Sequence, residues 1–121
     1  MFETITRDGK VLVRIPQSQT IPDAGAALEL AVSARHETGS DRLVVPKECF
    51  PKAFFHLSSG LAGEILQKWV NYQFKAAIYG DFSEYTSTSK PLRDFIYECS
   101  RGNTVFFVST RQEAEERLCR V

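Results

Sequence analysis

Residues 56–66 read HLSSGLAGEIL, placing His56 two and three residues ahead of Ser58 and Ser59. Serine and histidine together suggest acyl transfer, which needs a serine on a sharp strand-to-helix turn flanked by glycines, as in G-x-S-x-G. Here Gly60 and Gly63 both follow the serines. The other histidine, His36 in RHETG, falls near the end of a predicted helix. Neither histidine stands at a spacing that implies a triad, so no catalytic residue is assigned. What these residue types do at this spacing is begin a helix, with a serine oxygen accepting one of the orphan amide hydrogen bonds. Free amides and the positive end of the dipole also favour negative charge there, so a phosphoserine or a bound anion is well placed. Ser58, Ser59 and Gly60 are therefore the candidate modification or partner-contact residues.

A second set lies in GDFSEYTS, residues 80–87. It follows a predicted strand, and ligands of open α/β sheets sit at carboxyl strand ends. Asp81, Ser83, Tyr85 and Thr86 offer a hydrogen-bonding rim, with Lys90 and Arg93 near enough in sequence to neutralise an anion. The same residue types are ordinary loop formers, so the ligand loop stands beside a plain connection as alternatives. His56, Glu64, Asp81 and Glu84 do not fall at metal-ligand spacing, and Glu64 with Lys68 at i+4 reads as an exposed ion pair. Cys49, Cys99 and Cys119 form no C-x-x-C pair and read as free structural thiols of a reducing compartment. No metal and no cofactor is expected. Phe54 and Phe55 are adjacent in a proline-flanked stretch where two neighbouring rings rarely both point inward. One of them is expected at a protein interface, self-association included.

The elements that must position these groups follow from pattern. A strand over 2–7, the turn pair Asp8-Gly9 and a strand over 10–15 predict an opening β-hairpin. Asp23 is an N-cap for a helix over 24–37, with Ala24, Ala27, Leu28, Ala31 and Val32 as its apolar stripe. A wholly apolar strand, 43–45, precedes an irregular segment, 46–57. The next helix spans 60–72 and shows Leu61, Ile65, Leu66, Trp69 and Val70 on one side. A strand over 74–79 and a polar loop lead to a helix bearing Leu92, Phe95, Ile96 and Cys99. A last strand, 104–108, is followed by a helix over 111–120 that opens on the capping box Thr110-x-x-Glu113. The order β-β-α-β-α-β-α-β-α predicts an α/β fold with a mixed, mostly parallel sheet and helices packed on it.

With 121 residues the chain is expected to form a single domain over 1–121. Lys plus Arg equals Asp plus Glu at 15 each, so the basic surplus of a nucleic-acid binder is missing. There is no basic-then-apolar leader, and no apolar run nears the ~20 residues of a membrane span. A soluble, cytoplasmic protein without nucleic-acid or membrane partners is the expectation. Its partner is expected to be another protein, or a second copy of itself.

Two resemblances add to this reading. S-S-G-L ahead of an apolar helix, a following strand and the late VST-x-x-E-A segment resemble STAS domains, the fold of anti-sigma-factor antagonists. In that family a D-S-S-G-L step starts the second helix and its serine is phosphorylated by a partner kinase. Leu57 stands where the Asp would be, and about a dozen residues separate the LVV strand from the serines. The likeness implies a regulatory, protein-interaction role switched at Ser58 or Ser59. Over nearly the whole chain, ETGSDRLVVPKE, LSSGLAGEILQKWVNYQFKAAIYGDFSEYTS, LRDFIYECSRG and VFFVSTRQEA resemble the bacterial family known as domain of unknown function 4180. This second likeness implies a small stand-alone bacterial cytoplasmic protein and brings no activity with it. Some members of that family carry hydrolase labels, which the missing elbow does not support. A small-molecule-binding or enzymatic domain using loop 80–87 is the alternative function.

Overall fold

The computed structural model describes residues 1–121. Strands β1 (Glu3–Arg7) and β2 (Lys10–Arg14) form the expected hairpin. Asp8 and Gly9 both take positive φ, 52° and 78°, as a two-residue turn matched to strand twist requires. Helix α1 (Ala24–Thr38) starts where the Asp23 carboxylate accepts the Ala26 amide at 2.8 Å. It stops at Gly39, whose left-handed φ of 78° directs its amide back to the Arg35 carbonyl. Strand β3 (Arg42–Pro46), helix α2 (Leu61–Asn71) and strand β4 (Lys75–Tyr79) follow. Next come the single turn α3 (Ser83–Thr86), helix α4 (Lys90–Ser100), strand β5 (Val105–Val108) and helix α5 (Arg111–Leu118). The Thr110 hydroxyl caps α5 by accepting the Glu113 amide.

The sheet order is β1-β2-β3-β4-β5, antiparallel only at the hairpin and parallel beyond it. Each crossover therefore moves one strand along in the same direction. A constant crossover hand then drops α1, α2 and α4 on one face. That face holds a core of 23 buried residues, against six on the face covered by α5. Val13, Leu43, Val45, Ala76, Ile78 and Phe107 point to the first, and Leu12, Val44, Ala77 and Phe106 to the second. Wholly apolar strands are what a sheet covered on both sides demands.

The buried side of α1 is Ala27, Leu30, Ala31 and Ala34, rotated from the expected stripe so that Val32 faces out. Small residues there let α1 and α2 approach closely, and the buried Trp69 indole donates to the Ala27 carbonyl at 3.0 Å. Val70 is likewise exposed, because Ala62, Ile65, Leu66 and Trp69 already fill the inward side of α2.

Segment 46–57 is more ordered than its prolines suggest. Short 3₁₀ turns occupy Lys47–Cys49, Lys52–Phe55 and Leu57–Ser59. This corrects the expectation of one outward-facing ring, since Phe54 and Phe55 are 1% and 5% exposed. At about three residues per turn, neighbours sit ~120° apart rather than on opposite sides as in a strand, so both rings can turn inward. Phe54 stacks on Phe50 at 4.1 Å, and Phe55 stacks on Tyr85 at 4.4 Å. No helix is long and apolar enough to cross a membrane.

Candidate functional site

Two of the sequence-derived sites meet. The 3₁₀ segment leaves the carboxyl end of β3, and the α3 segment leaves the carboxyl end of β4. Phe55 and Tyr85 stack almost face to face, with 8° between the ring planes, and Phe82 packs beside Phe55 at 6.1 Å. Between them lies a groove of about 550 Å³. One wall is Phe55, His56, Leu57 and Ser58; the other is Tyr85, Thr88, Ser89 and Pro91. Thr88 and Ser89 belong to the polar loop before α4, and sequence reasoning gave neither of them a role. The signal there is Ser89 followed by Pro91, the start of a helix, and Ser89 does cap α4 by accepting the Leu92 amide at 3.3 Å.

The two serines divide their roles. The Ser59 hydroxyl donates to the Ala53 carbonyl at 2.6 Å and accepts the Leu61 amide at 3.2 Å. It thereby ties the 3₁₀ segment to the first turn of α2. The Ser58 hydroxyl is exposed and has no hydrogen-bond partner in the chain. Gly60 is the N-cap position itself, at φ 78°, so no side chain caps the helix from there. The amides of Ala62 and Gly63 are the donors left over at this end, since Leu61 is bound by Ser59 and Glu64 by the Gly60 carbonyl.

Of the ligand-loop residues, only Tyr85 lines the groove. The Asp81 carboxylate accepts the Ser83 amide at 2.9 Å and shapes the turn into α3. The hydroxyl and amide of Ser83, with the nearby Lys47 charge, hold the exposed Asp81 carboxyl below the usual carboxylate range. The Lys47 ammonium also donates to the Asp81 carbonyl, lacing the exit of β3 to that of β4. The Thr86 hydroxyl is spent on the Phe82 carbonyl at 3.1 Å. Lys90 pairs with Asp94 at 2.7 Å, and Arg93 donates to the Thr86 carbonyl at 3.3 Å. The two cations thus serve the local fold.

No set of three His, Cys, Asp or Glu side chains converges as a metal site would require. Burial pushes the Cys49 thiol up to about 12, with the Glu48 charge adding to it. Cys99 and Cys119 are raised too, first by burial. None of the three is poised as a thiolate nucleophile at neutral pH.

Sequence reasoning missed a charge cluster on the other face. Glu115 of α5 is 5% exposed, and Arg14 grips it through Nε at 2.6 Å and a second nitrogen at 3.2 Å. Arg7 and Arg111 approach the same carboxylate at 3.8 and 3.9 Å. Hydrogen bonding to Glu115 raises the Arg14 pKa further. In sequence these are four unremarked charges, and only pairing across the sheet brings them together. The cluster fastens α5 to β1 and β2, a structural task.

The chain belongs to the family described as Domain of unknown function (DUF4180), whose family model matches residues 6–118. No curated protein and no solved structure matches it.

Proposed function

We propose that this protein is a non-enzymatic regulatory domain of STAS-like type that acts by binding another protein in the bacterial cytoplasm. Its contact surface is the groove between the 3₁₀ segment and α3–α4, and Ser58 is the residue through which modification controls it. The observation behind this reading is the contrast between the serines. Ser59 is consumed by two internal hydrogen bonds, while the Ser58 hydroxyl stands exposed and unbonded on the groove wall. The hairpin-first, alternating topology is that expected of a STAS-like domain. A phosphate on Ser58 would bring nearly two negative charges and three strong acceptors to a surface that now offers mainly hydroxyls and aromatic edges.

The test is phosphopeptide mapping from native cells, paired with capture of partners on the wild-type chain and on Ser58→Ala and Ser58→Glu. The expected result is phosphate on Ser58 and not on Ser59, and a partner whose capture differs between Ala and Glu. Repeated absence of the phosphopeptide at high coverage, together with identical capture by all three chains, would overturn the reading.

The groove itself favours a second reading. About 550 Å³ walled by Phe55, Tyr85 and several hydroxyls is within the range of small-molecule sites. A metabolite screen by thermal shift separates the two, since a stabilising ligand whose effect is lost in Tyr85→Ala points to binding in the groove.

A further inference from the structure

The two edges of the sheet are treated differently. At the β5 edge, the outward main-chain groups of Phe107 are both taken by the Ser100 hydroxyl, which accepts from its amide at 3.2 Å and donates to its carbonyl at 3.1 Å. The β1 edge is open. The two-residue turn makes Arg7 and Lys10 a hydrogen-bonded pair, so Ile5 and Glu3 also bond across to β2. Thr4 and Thr6 therefore aim their amides and carbonyls away from the sheet. Hydrogen bonds on β2 agree with this phase: the Ile15 amide donates to Val44 of β3, and the Val11 carbonyl accepts from Ser40. Nothing in the chain bonds the main chain of Thr4 or Thr6. One step earlier, the Phe2 amide is covered by Glu37 at 2.6 Å. β1 has no proline, lysine or bulge to discourage a further strand.

We infer that β1 pairs with β1 of a second copy of this chain, antiparallel about a two-fold axis at Ile5. The strand ETITR is self-complementary in that register. Glu3 lies opposite the partner's Arg7, Thr4 opposite the partner's Thr6, and Ile5 opposite the partner's Ile5. Thr4 and Thr6 are the residues with free outward groups, so each such pair exchanges two main-chain hydrogen bonds. A slip of one residue sets outward groups against inward ones. A slip of two sets Ile5 against a charge and abandons both Glu–Arg pairings.

The charges are available for this. Glu3 reaches Arg14 only at 3.7 Å and Arg7 reaches Glu115 only at 3.8 Å, while Arg14 itself holds Glu115 tightly. Opposite charges directly across a strand pair favour the register, and like charges oppose it. The dimer is one continuous sheet. It leaves the groove free, because the groove's aromatic wall packs toward Phe107 at the far edge.

Sedimentation of the whole chain, over a series from micromolar to millimolar, tests the pairing. The wild type is expected to form a dimer. Glu3→Arg and Arg7→Glu should each weaken it by about tenfold, because each reversal sets like charges opposite at both ends of the strand. Mixed in equal amounts, the two variants should associate again, since in the mixed pair every charge meets its opposite. That rescue also shows both variants to be folded. Thr4→Pro provides an independent check: it removes an amide that bonds nothing in the single chain, so it should abolish pairing and leave the circular dichroism of the fold unchanged. A wild type that stays monomeric throughout overturns the inference, including one that instead takes up an extended peptide along β1. So do reversals that leave association unchanged, and folded variants that fail to associate on mixing.

Discussion

At the scale of single residues, neighbouring side chains of the same type have opposite meanings. Ser59 holds two segments together through internal hydrogen bonds, and Ser58 holds nothing. Ser59→Ala should therefore cost about 1 kcal/mol in urea unfolding, while Ser58→Ala should fall within about 0.5 kcal/mol of wild type. The sequence shows two serines before a helix and gives no means of ranking them, because the ranking comes from where the Ala53 carbonyl lies. Cys49 makes a second prediction. Its thiol goes from an ordinary value of 9.0 to about 12 on burial. A raised folded value means that the stability tied to the neutral thiol is complete below pH 9.0 and declines as pH climbs toward about 12, where the unfolded chain ionises first. Equilibrium unfolding should show that alkaline decline, and Cys49→Ala should reduce its slope.

At the scale of elements, pattern and capping chemistry located the hairpin, the three long helices, the parallel strands and α5 to within a few residues. Asp8-Gly9, Asp23 and Thr110 were legible because each does its work within a few residues of itself. The 3₁₀ turns and α3 were not. Their conformation depends on Phe55 and Tyr85 finding each other across ~30 positions of sequence, which no local window contains. The Phe55–Tyr85 stack is accordingly what docks α3 on the rest of the fold. Tyr85→Ala should destabilise the protein by about 1–2 kcal/mol, with most of the effect local. Hydrogen exchange should quicken at residues 81–90 while β3 and β4 keep their protection. Uniform loss of protection across the sheet would show that the α3 segment is part of the global unfolding unit instead.

For the whole molecule, strand order was the feature that sequence left open. The alternation of helices and strands fixes neither sequential order nor its reverse, and the ladder β1-β2-β3-β4-β5 emerges only from the assembled sheet. That order has consequences beyond the core. It sends the hairpin's outer strand to one rim and β5 to the other. It also brings the exits of β3 and β4 side by side, which is why residues 55–58 and 85–91 share a groove. The site was thus half visible: Ser58 and Tyr85 were identified singly, and their proximity was a property of the sheet.

The single tryptophan has a use that its packing does not advertise. Trp69 is fully buried, bonded to α1 through its indole nitrogen and set edge-on to Phe50. Its emission is therefore a built-in optical gauge of whether α1, α2 and the 3₁₀ segment remain docked. Excited alone, it should emit at short wavelength in the native chain and shift red on denaturation. The signal is readable at dilutions where two copies of the chain no longer meet, so folding and association can be followed separately in the unmodified protein.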